Sequence, residues 1–201
     1  FVDVATGRQV DSIWVGDEPA SVIYNADSGH AYISLSGANS VAVVDVADRQ
    51  LIKTIPVVFD PLAIALSPDG ERVAVASHRS GQVDMYPYDD RSVTEEKDIA
   101  IIDTMSLEVK SHILDVASTI HAMDFNRDGA LRLIGTINRI EGPLNDVDTE
   151  SFQHRILEFE NDSGTATPTV SIDLSRQASS TGSTGTLHGF VECGGSFWVV
   201  A

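Results

Sequence analysis

The stretch Val43–Ser77, VVDVADRQLIKTIPVVFDPLAIALSPDGERVAVAS, decides the fold, because the chain writes it more than once. Phe1–Ser34 reads FVDVATGRQVDSIWVGDEPASVIYNADSGHAYIS. Asp3 aligns with Asp45 and Pro19 with Pro61, a period of 42 in both cases (45 − 3 and 61 − 19). A third copy opens at AIIDTMSLEVKSHILDV, with Asp103 in the place of Asp45, and runs into HAMDFNRDGALRLIG. A fourth opens at RILEFENDSGTATPTVSIDL and ends in LHGFVECGGSFWVVA. Short strands with a two-residue apolar alternation, repeated at this interval, predict an all-β fold: a β-propeller with four antiparallel strands per blade.

The copies fall at roughly 1–41, 42–98, 99–154 and 155–201, so one propeller domain with about four visible blades is expected. The chain opens in the strand-like FVDV and stops in the strand-like FWVV. An open arc leaves two edges that invite pairing, so the expectation is a part of a larger ring of about seven blades.

The innermost strands read SVIYNA, LAIALS, HAMDFN and HGFVE; the second strands read HAYISLS, RVAVAS, ALRLIG and SFWVVA. Third strands read SVAVVDV, IAIIDT and RILEFE, and outer strands QVDSIWV, QLIKTIPV, EVKSHILDV and TVSIDL. Ser67–Glu71, SPDGE, is a tight hairpin in which Gly70 supplies the positive φ, and NRDGA at Asn126–Ala130 repeats it. NADSGH is a slightly longer version.

The period then lengthens. The interval from Asp45 to Asp103 is 58 (103 − 45), and that from Asp103 to Glu160 is 57 (160 − 103). Two insertions account for this, Asp84–Lys97 and Asn138–Gln153, each between a second and a third strand. A third extension, Ser175–Gly185, lies between an outer strand and the next inner one. In an up-and-down blade both kinds of connection leave the same face of the ring, and the Gly70 and Gly129 hairpins leave the other. Long loops gathered on one face of a rigid scaffold are where binding is expected. Neutral loop drift is the competing account, since long insertions cost little.

A net charge of −17 and a pI near 4.4 argue against nucleic acid and against an anionic membrane surface. A cationic partner, a metal ion or a salty environment fits better. No apolar run approaches the length of a membrane-spanning helix, so no span is predicted. The single cysteine, Cys193, cannot form an intrachain disulfide.

The segments VAVVDVADRQLIKTI and PLAIALSPDGERVAVAS resemble the YVTN-type β-propeller repeat, in the broad group that includes quinoprotein amine dehydrogenase-like propellers. The second repeat fits that pattern well, and the first fits with its turn loosened by one residue. The third keeps the Asp-Gly turn with Asn126-Arg127 for Ser-Pro, and the fourth has CGG where the aspartate would stand. The resemblance implies a periplasmic or extracellular setting. It also implies a binding domain, a surface-layer repeat, or a propeller serving a redox or lactonase-like enzyme. Fold does not choose among these.

His121 follows Asp103 at the same interval at which Ala63 follows Asp45 (121 − 103 and 63 − 45), and His188 aligns with it by the starts HAMDF and HGFVE. Both are expected at the channel mouth on the long-loop face, where imidazoles hold a ligand, shuttle a proton or bind a metal. A hydrogen-bonded packing role competes with these. His78 and Arg79 end a second strand on the same face and suit an anionic ligand. Asp146, Asp148 and Glu150, with Asp89 and Asp90, form an acidic rim for a hard cation or a basic partner. His121 and His188 are therefore the transition-metal candidates and the acidic rim the hard-cation candidate.

Asp124, Asn126, Asp128 and Gly129 begin a calcium-loop pattern, but its twelfth position is Gly135 and its ninth Arg132, so a plain turn is expected. No nucleophile elbow, phosphate loop or CxxCH haem motif is present. The cofactor is not fixed by the sequence. The first expectation is a non-catalytic domain that binds a small-molecule or protein ligand on the long-loop face. An enzyme propeller with a metal or cofactor in the channel comes second, and a structural surface-layer repeat third.

Overall fold

The computed structural model describes residues 1–78, 97–114, 116–117, 119–138, 152–160, 164–165, 168–174, 189–193 and 196–200. The first four-stranded sheet runs β3 (Pro19–Asn25), β4 (His30–Leu35), β5 (Ser40–Asp45) and β6 (Gln50–Pro56), with neighbours in chain order. The second runs β7 (Pro61–Leu66), β8 (Arg72–Ser77), β9 (Lys97–Asp103) and β10 (Glu108–Leu114). The third runs β11 (Thr119–Phe125), β12 (Leu131–Asn138), β13 (Phe152–Phe159) and β15 (Val170–Asp173). Two hairpins flank these: β1 (Val2–Asp3) with β2 (Arg8–Gln9), and β16 (Gly189–Cys193) with β17 (Ser196–Val200). The innermost strands β3, β7, β11 and β16 neighbour one another in turn. This is a β-propeller arc.

The aspartates that mark the repeat make its turns. Asp3, Asp45 and Asp103 each accept, through Oδ1, the backbone N–H three residues on, at 2.7, 2.8 and 2.8 Å. Four residues past each aspartate the chain takes a left-handed conformation, at Gly7, Arg49 and Leu107. A side-chain acceptor that fixes the turn explains why the residue type recurs. The SPDGE hairpin is tied the same way: Ser67 Oγ lies 2.5 Å from Asp69 Oδ1, and Gly70 has φ 71°. In NRDGA, Asn126 Oδ1 accepts the N–H groups of Asp128 (2.9 Å) and Ala130 (2.8 Å), so the calcium-like motif is a turn closed on itself.

Apolar alternation places two cores between the sheets. Tyr32, Val41, Val43 and Ile55 of the first sheet pack against Ile64, Val73, Val75 and Ile102 of the second. Ala74, Ala76, Ile99 and Ile101 of the second pack with Ile120, Phe125, Leu131 and Leu133 of the third. Burying one such aliphatic side chain contributes about 1.5–3 kcal/mol. The β12–β13 ladder adds an ion pair between directly opposed Arg132 and Glu158, both largely buried.

Two features depart from the four-strand expectation. β14 (Gly164–Thr165), from the connection that follows β13, pairs in parallel with Ile113 and Leu114 of β10 and gives the second sheet a fifth strand. It covers part of an edge that would otherwise be open. Of the expected outer strand QVDSIWV only its first residue, Gln9, pairs with β1, where the ladder ends at Val2↔Gln9; in the first sheet the matching ladder runs on to Ser40↔Pro56.

Candidate ligand-binding face

The up-and-down order sends the β4–β5, β6–β7, β8–β9, β10–β11, β12–β13 and β15–β16 connections to one face. The Gly70 and Gly129 hairpins leave the other. The insertions therefore join second to third strands, as the sequence predicts: β8 ends at Ser77 and β9 begins at Lys97, and β12 ends at Asn138 and β13 begins at Phe152.

On the long-connection face the segment between β6 and β7 is clamped at both ends. Val57 N–H donates to Asn39 O at 3.0 Å, Asp60 N–H to Asn39 Oδ1 at 2.9 Å, and His78 N–H to Asp60 O at 2.9 Å. Asn39 and Asp60 both take left-handed backbone, with φ 48° and 46°. The clamp has a repeat partner: Ser36 N–H donates to Glu18 O at 3.0 Å, and Glu18 has φ 51°. Each position precedes its counterpart by the repeat period of 42 (78 − 36 and 60 − 18). His78 is thus placed by its main chain, with a half-buried side chain. Between the clamps stands Phe59, 54% exposed.

His121 lies on β11, half-buried, with Nε2 2.8 Å from Oγ1 of buried Thr136 on β12. The ladder corrects its alignment by one residue. Ile120 pairs Gly135 and Ala122 pairs Ile134, so His121 is the bulged residue. In the second sheet Pro61 pairs Ser77 and Ala63 pairs Ala76, which makes Leu62, not Ala63, its counterpart. β11 has seven residues where β7 has six, and spacing from Asp103 cannot register that. A bulge re-aims its side chain, and here the imidazole meets a buried hydroxyl.

Two further groups escaped the sequence reading. Asp98, at the long-connection end of β9, is fully buried and accepts the Val116 N–H through Oδ2. It stands at the lengthened repeat interval of 58 from buried Ser40 (98 − 40), so the repeat alignment could have flagged a carboxylate where a serine is usual. Thr136 carries no pattern of its own. Arg79, His188, Asp89, Asp90, Asp146, Asp148 and Glu150 lie outside the described residues. Among the described residues no group of three or more His, Cys, Asp or Glu is arranged to hold a metal ion. No helix among them is long and apolar enough to cross a membrane.

Stacked four-stranded sheets with inner strands in sequence around an axis, and connections sorted to two faces, define the class: a β-propeller domain. The hydrazine synthase of Kuenenia stuttgartiensis is similar at 21% identity with a TM-score of 0.62, over 86% of this chain and 42% of that one. The β-propeller domain of Myceliophteria thermophila Cps50 (Swd1) is similar at 9% identity and TM-score 0.50, over 82% of this chain and 38% of that one. The chain therefore spans less than half the length of either, and the likeness concerns the fold. No family model and no curated protein sequence matches the chain.

Proposed function

We propose that this chain is the binding part of a YVTN-type propeller protein, non-catalytic itself, which holds a protein or small-molecule ligand on the long-connection face. The observation that carries this reading is the clamped segment Val57–Asp60. Its main chain is fixed at both ends, and it presents a half-exposed aromatic ring on the face where β8 ends and β9 begins. A rigid aromatic anchor loses little conformational entropy on binding, and such anchors dominate interface energies. His78 beside it, and His121 on the neighbouring sheet, extend the polar part of the surface toward the channel mouth. Arg79 and His188 belong to the same proposed surface by their place in the sequence. The net charge of −17 steers a cationic partner toward the chain as a whole, while His78 and Arg79 would meet an anionic group of the ligand. An extracytoplasmic location goes with this reading, and cell fractionation tests it.

Immobilised protein tests the binding face. A ligand captured from extracellular or envelope fractions is expected to bind at least about 10-fold more weakly to Phe59→Ala or His121→Ala, a change of about 1.4 kcal/mol. It is expected to bind unchanged to Glu71→Ala, on the opposite face. Equal loss in all three variants, or in none, overturns the reading.

A second reading, a propeller serving a redox or lactonase-like enzyme, draws on the His121–Thr136 pair: an oriented imidazole on an inner strand suits a metal or a proton shuttle. His188, Asp146, Asp148 and Glu150 are its remaining candidate ligands. Stoichiometric metal that disappears in His121→Ala His188→Ala would select it.

A further inference from the structure

The clamp on the β6–β7 connector rests on one residue, Asn39, whose main-chain oxygen and Oδ1 accept the N–H groups of Val57 and Asp60. At the β10–β11 connector that place falls to Lys97, at the lengthened interval of 58 (97 − 39), and a lysine side chain has no acceptor. The acceptor comes instead from the next residue. Asp98 Oδ2 accepts the Val116 N–H. Val116 stands at the same interval of 58 from Val58 of the first connector (116 − 58).

The strand ladder breaks to allow this bond. In the first and third sheets pairing runs through the position, at Leu35↔Ser40 and Thr136↔His154. In the second sheet β8 and β9 pair only as far as Ala76↔Ile99. On the other side Ile113 pairs Ile99 and Leu114 pairs Lys97, so Asp98 is passed over by both neighbours. A residue bulged out of a ladder turns its side chain away from the regular direction. Ser40 stays in register, and its buried Oγ has no hydrogen-bond partner among the described residues. Asp98 is fully buried. Desolvating a carboxylate costs more than desolvating a serine hydroxyl, and the first sheet shows that the strand itself needs no carboxylate here.

What Asp98 holds leads to His121. Val116 and Ala117 are both buried, and the Ala117 methyl group fills the space that a side chain at Gly135 would take. Gly135 precedes Thr136, whose Oγ1 lies 2.8 Å from His121 Nε2. Asp98 stands at one end of this series of contacts and the imidazole at the other. Asp98 also follows directly on the insertion Asp84–Lys97. We propose that Asp98 is a positioning residue: it holds the β10–β11 connector against β12, fixes the His121 imidazole by doing so, and ties that imidazole to the inserted connection. The inference rests on the ligand-face reading, in which His121 meets the ligand, but the placement of His121 is measurable without a ligand.

Two substitutions at Asp98 test this on the full chain. Asp98→Asn keeps an acceptor of the same reach, and Asp98→Ser installs the shorter residue that the first sheet carries. Asp98→Ser is expected to speed amide exchange at Val116 at least about 10-fold and to shift the His121 ring nitrogens in nitrogen-15 NMR. Asp98→Asn should bring both back toward the unaltered chain. Ile113→Val trims the same strand pair without touching the carboxylate, so it should lower Tm and leave the His121 signals in place. His121 signals that stay unmoved in Asp98→Ser overturn the proposal. So do signals that move as far in Ile113→Val at an equal loss of Tm, because His121 then reports stability alone. If Asp98→Ser does not fold, Asp98→Glu decides, since a longer carboxylate displaces the connector: moved His121 signals support the proposal and unmoved ones overturn it. Ligand capture by the same variants separates the two readings. Signals that move while capture stays unchanged uphold Asp98 as the positioning residue and remove His121 from the ligand face.

Discussion

The side-chain amide of Asn25 donates to the carbonyl oxygen of Gly70 at 2.8 Å, tying the inner hairpin of the first sheet to that of the second. The next interface repeats the device with a different residue. Arg72 Nη2 donates to Gly129 O at 3.2 Å, and its guanidinium lies 5.2 Å from the centre of the Phe125 ring. Each tight glycine turn offers a carbonyl that the preceding sheet reaches. Asn25→Ala is expected to cost about 1 kcal/mol and Arg72→Ala about 1–2 kcal/mol, since the latter also gives up the cation–ring contact. Urea unfolding of the two variants checks both values. An Arg72→Ala cost below that of an ordinary surface substitution would leave the latch without energetic weight.

The turns at Asp3, Asp69 and Asp103 make the fold acid-sensitive. The Thr6 hydroxyl and N–H hold the Asp3 carboxyl below its ordinary value of 3.8, and the Ser67 hydroxyl and Glu71 N–H do the same for Asp69. At Asp103 the Ser106 N–H and hydroxyl are the main causes. A folded pKa below the unfolded one means stability that is fully present above about 3.8 and lost as pH falls through the depressed folded values. Unfolding free energy is therefore expected to be flat from neutral pH down to about pH 5 and to fall below about pH 4. Asp103→Asn should make that fall shallower. A variant with an unaltered acid limb would separate these turns from acid unfolding.

The same aspartates show how much of the fold the sequence carried openly. Asp3, Asp45 and Asp103 recur because a local turn requires an acceptor at that point, and Gly29, Gly70 and Gly129 because φ there is positive. Local requirements leave marks on local sequence. β14 leaves none: two residues pair with a strand some fifty positions earlier, and nothing in GT announces it. Arg49 and Leu107 hold left-handed backbone that glycine occupies at Gly7, so residue type alone would misplace those turns. The candidate site was legible to the same extent. The repeat placed His78 and His121 on the long-connection face. The one-residue bulge at His121, the hydroxyl of Thr136 and the buried Asp98 depend on pairing between strands and on packing.

The His121–Thr136 contact separates a packing histidine from a ligand-binding one. Thr136→Val keeps the shape of the side chain and removes the hydroxyl, leaving Nε2 without this partner. The expected cost is about 1 kcal/mol, with a change in imidazole tautomer populations visible by nitrogen-15 NMR. If ligand capture survives both Thr136→Val and His121→Ala, the imidazole serves packing alone. If capture falls in both while stability falls only slightly, the hydroxyl positions the imidazole for the ligand.

Gly135 lies directly behind that pair and leaves no room for a side chain. A Cβ built there would lie 2.7 Å from Ala117 Cβ, 3.2 Å from Leu133 Cδ1 and 3.3 Å from Thr119 O. The leucine tip can move, but the Ala117 methyl group and the Thr119 carbonyl are fixed by the connector and the strand that follows it. Gly135→Ala is expected to destabilise by about 1–3 kcal/mol through overpacking. Ala117→Gly removes the closest clash, so the double variant should recover about 1 kcal/mol relative to the sum of the two single changes. Thermal unfolding of the three proteins gives that coupling directly. Additive losses would mean that the β10–β11 connector yields to the new methyl group, and that it does not hold the end of β11, and His121 with it, rigidly in place.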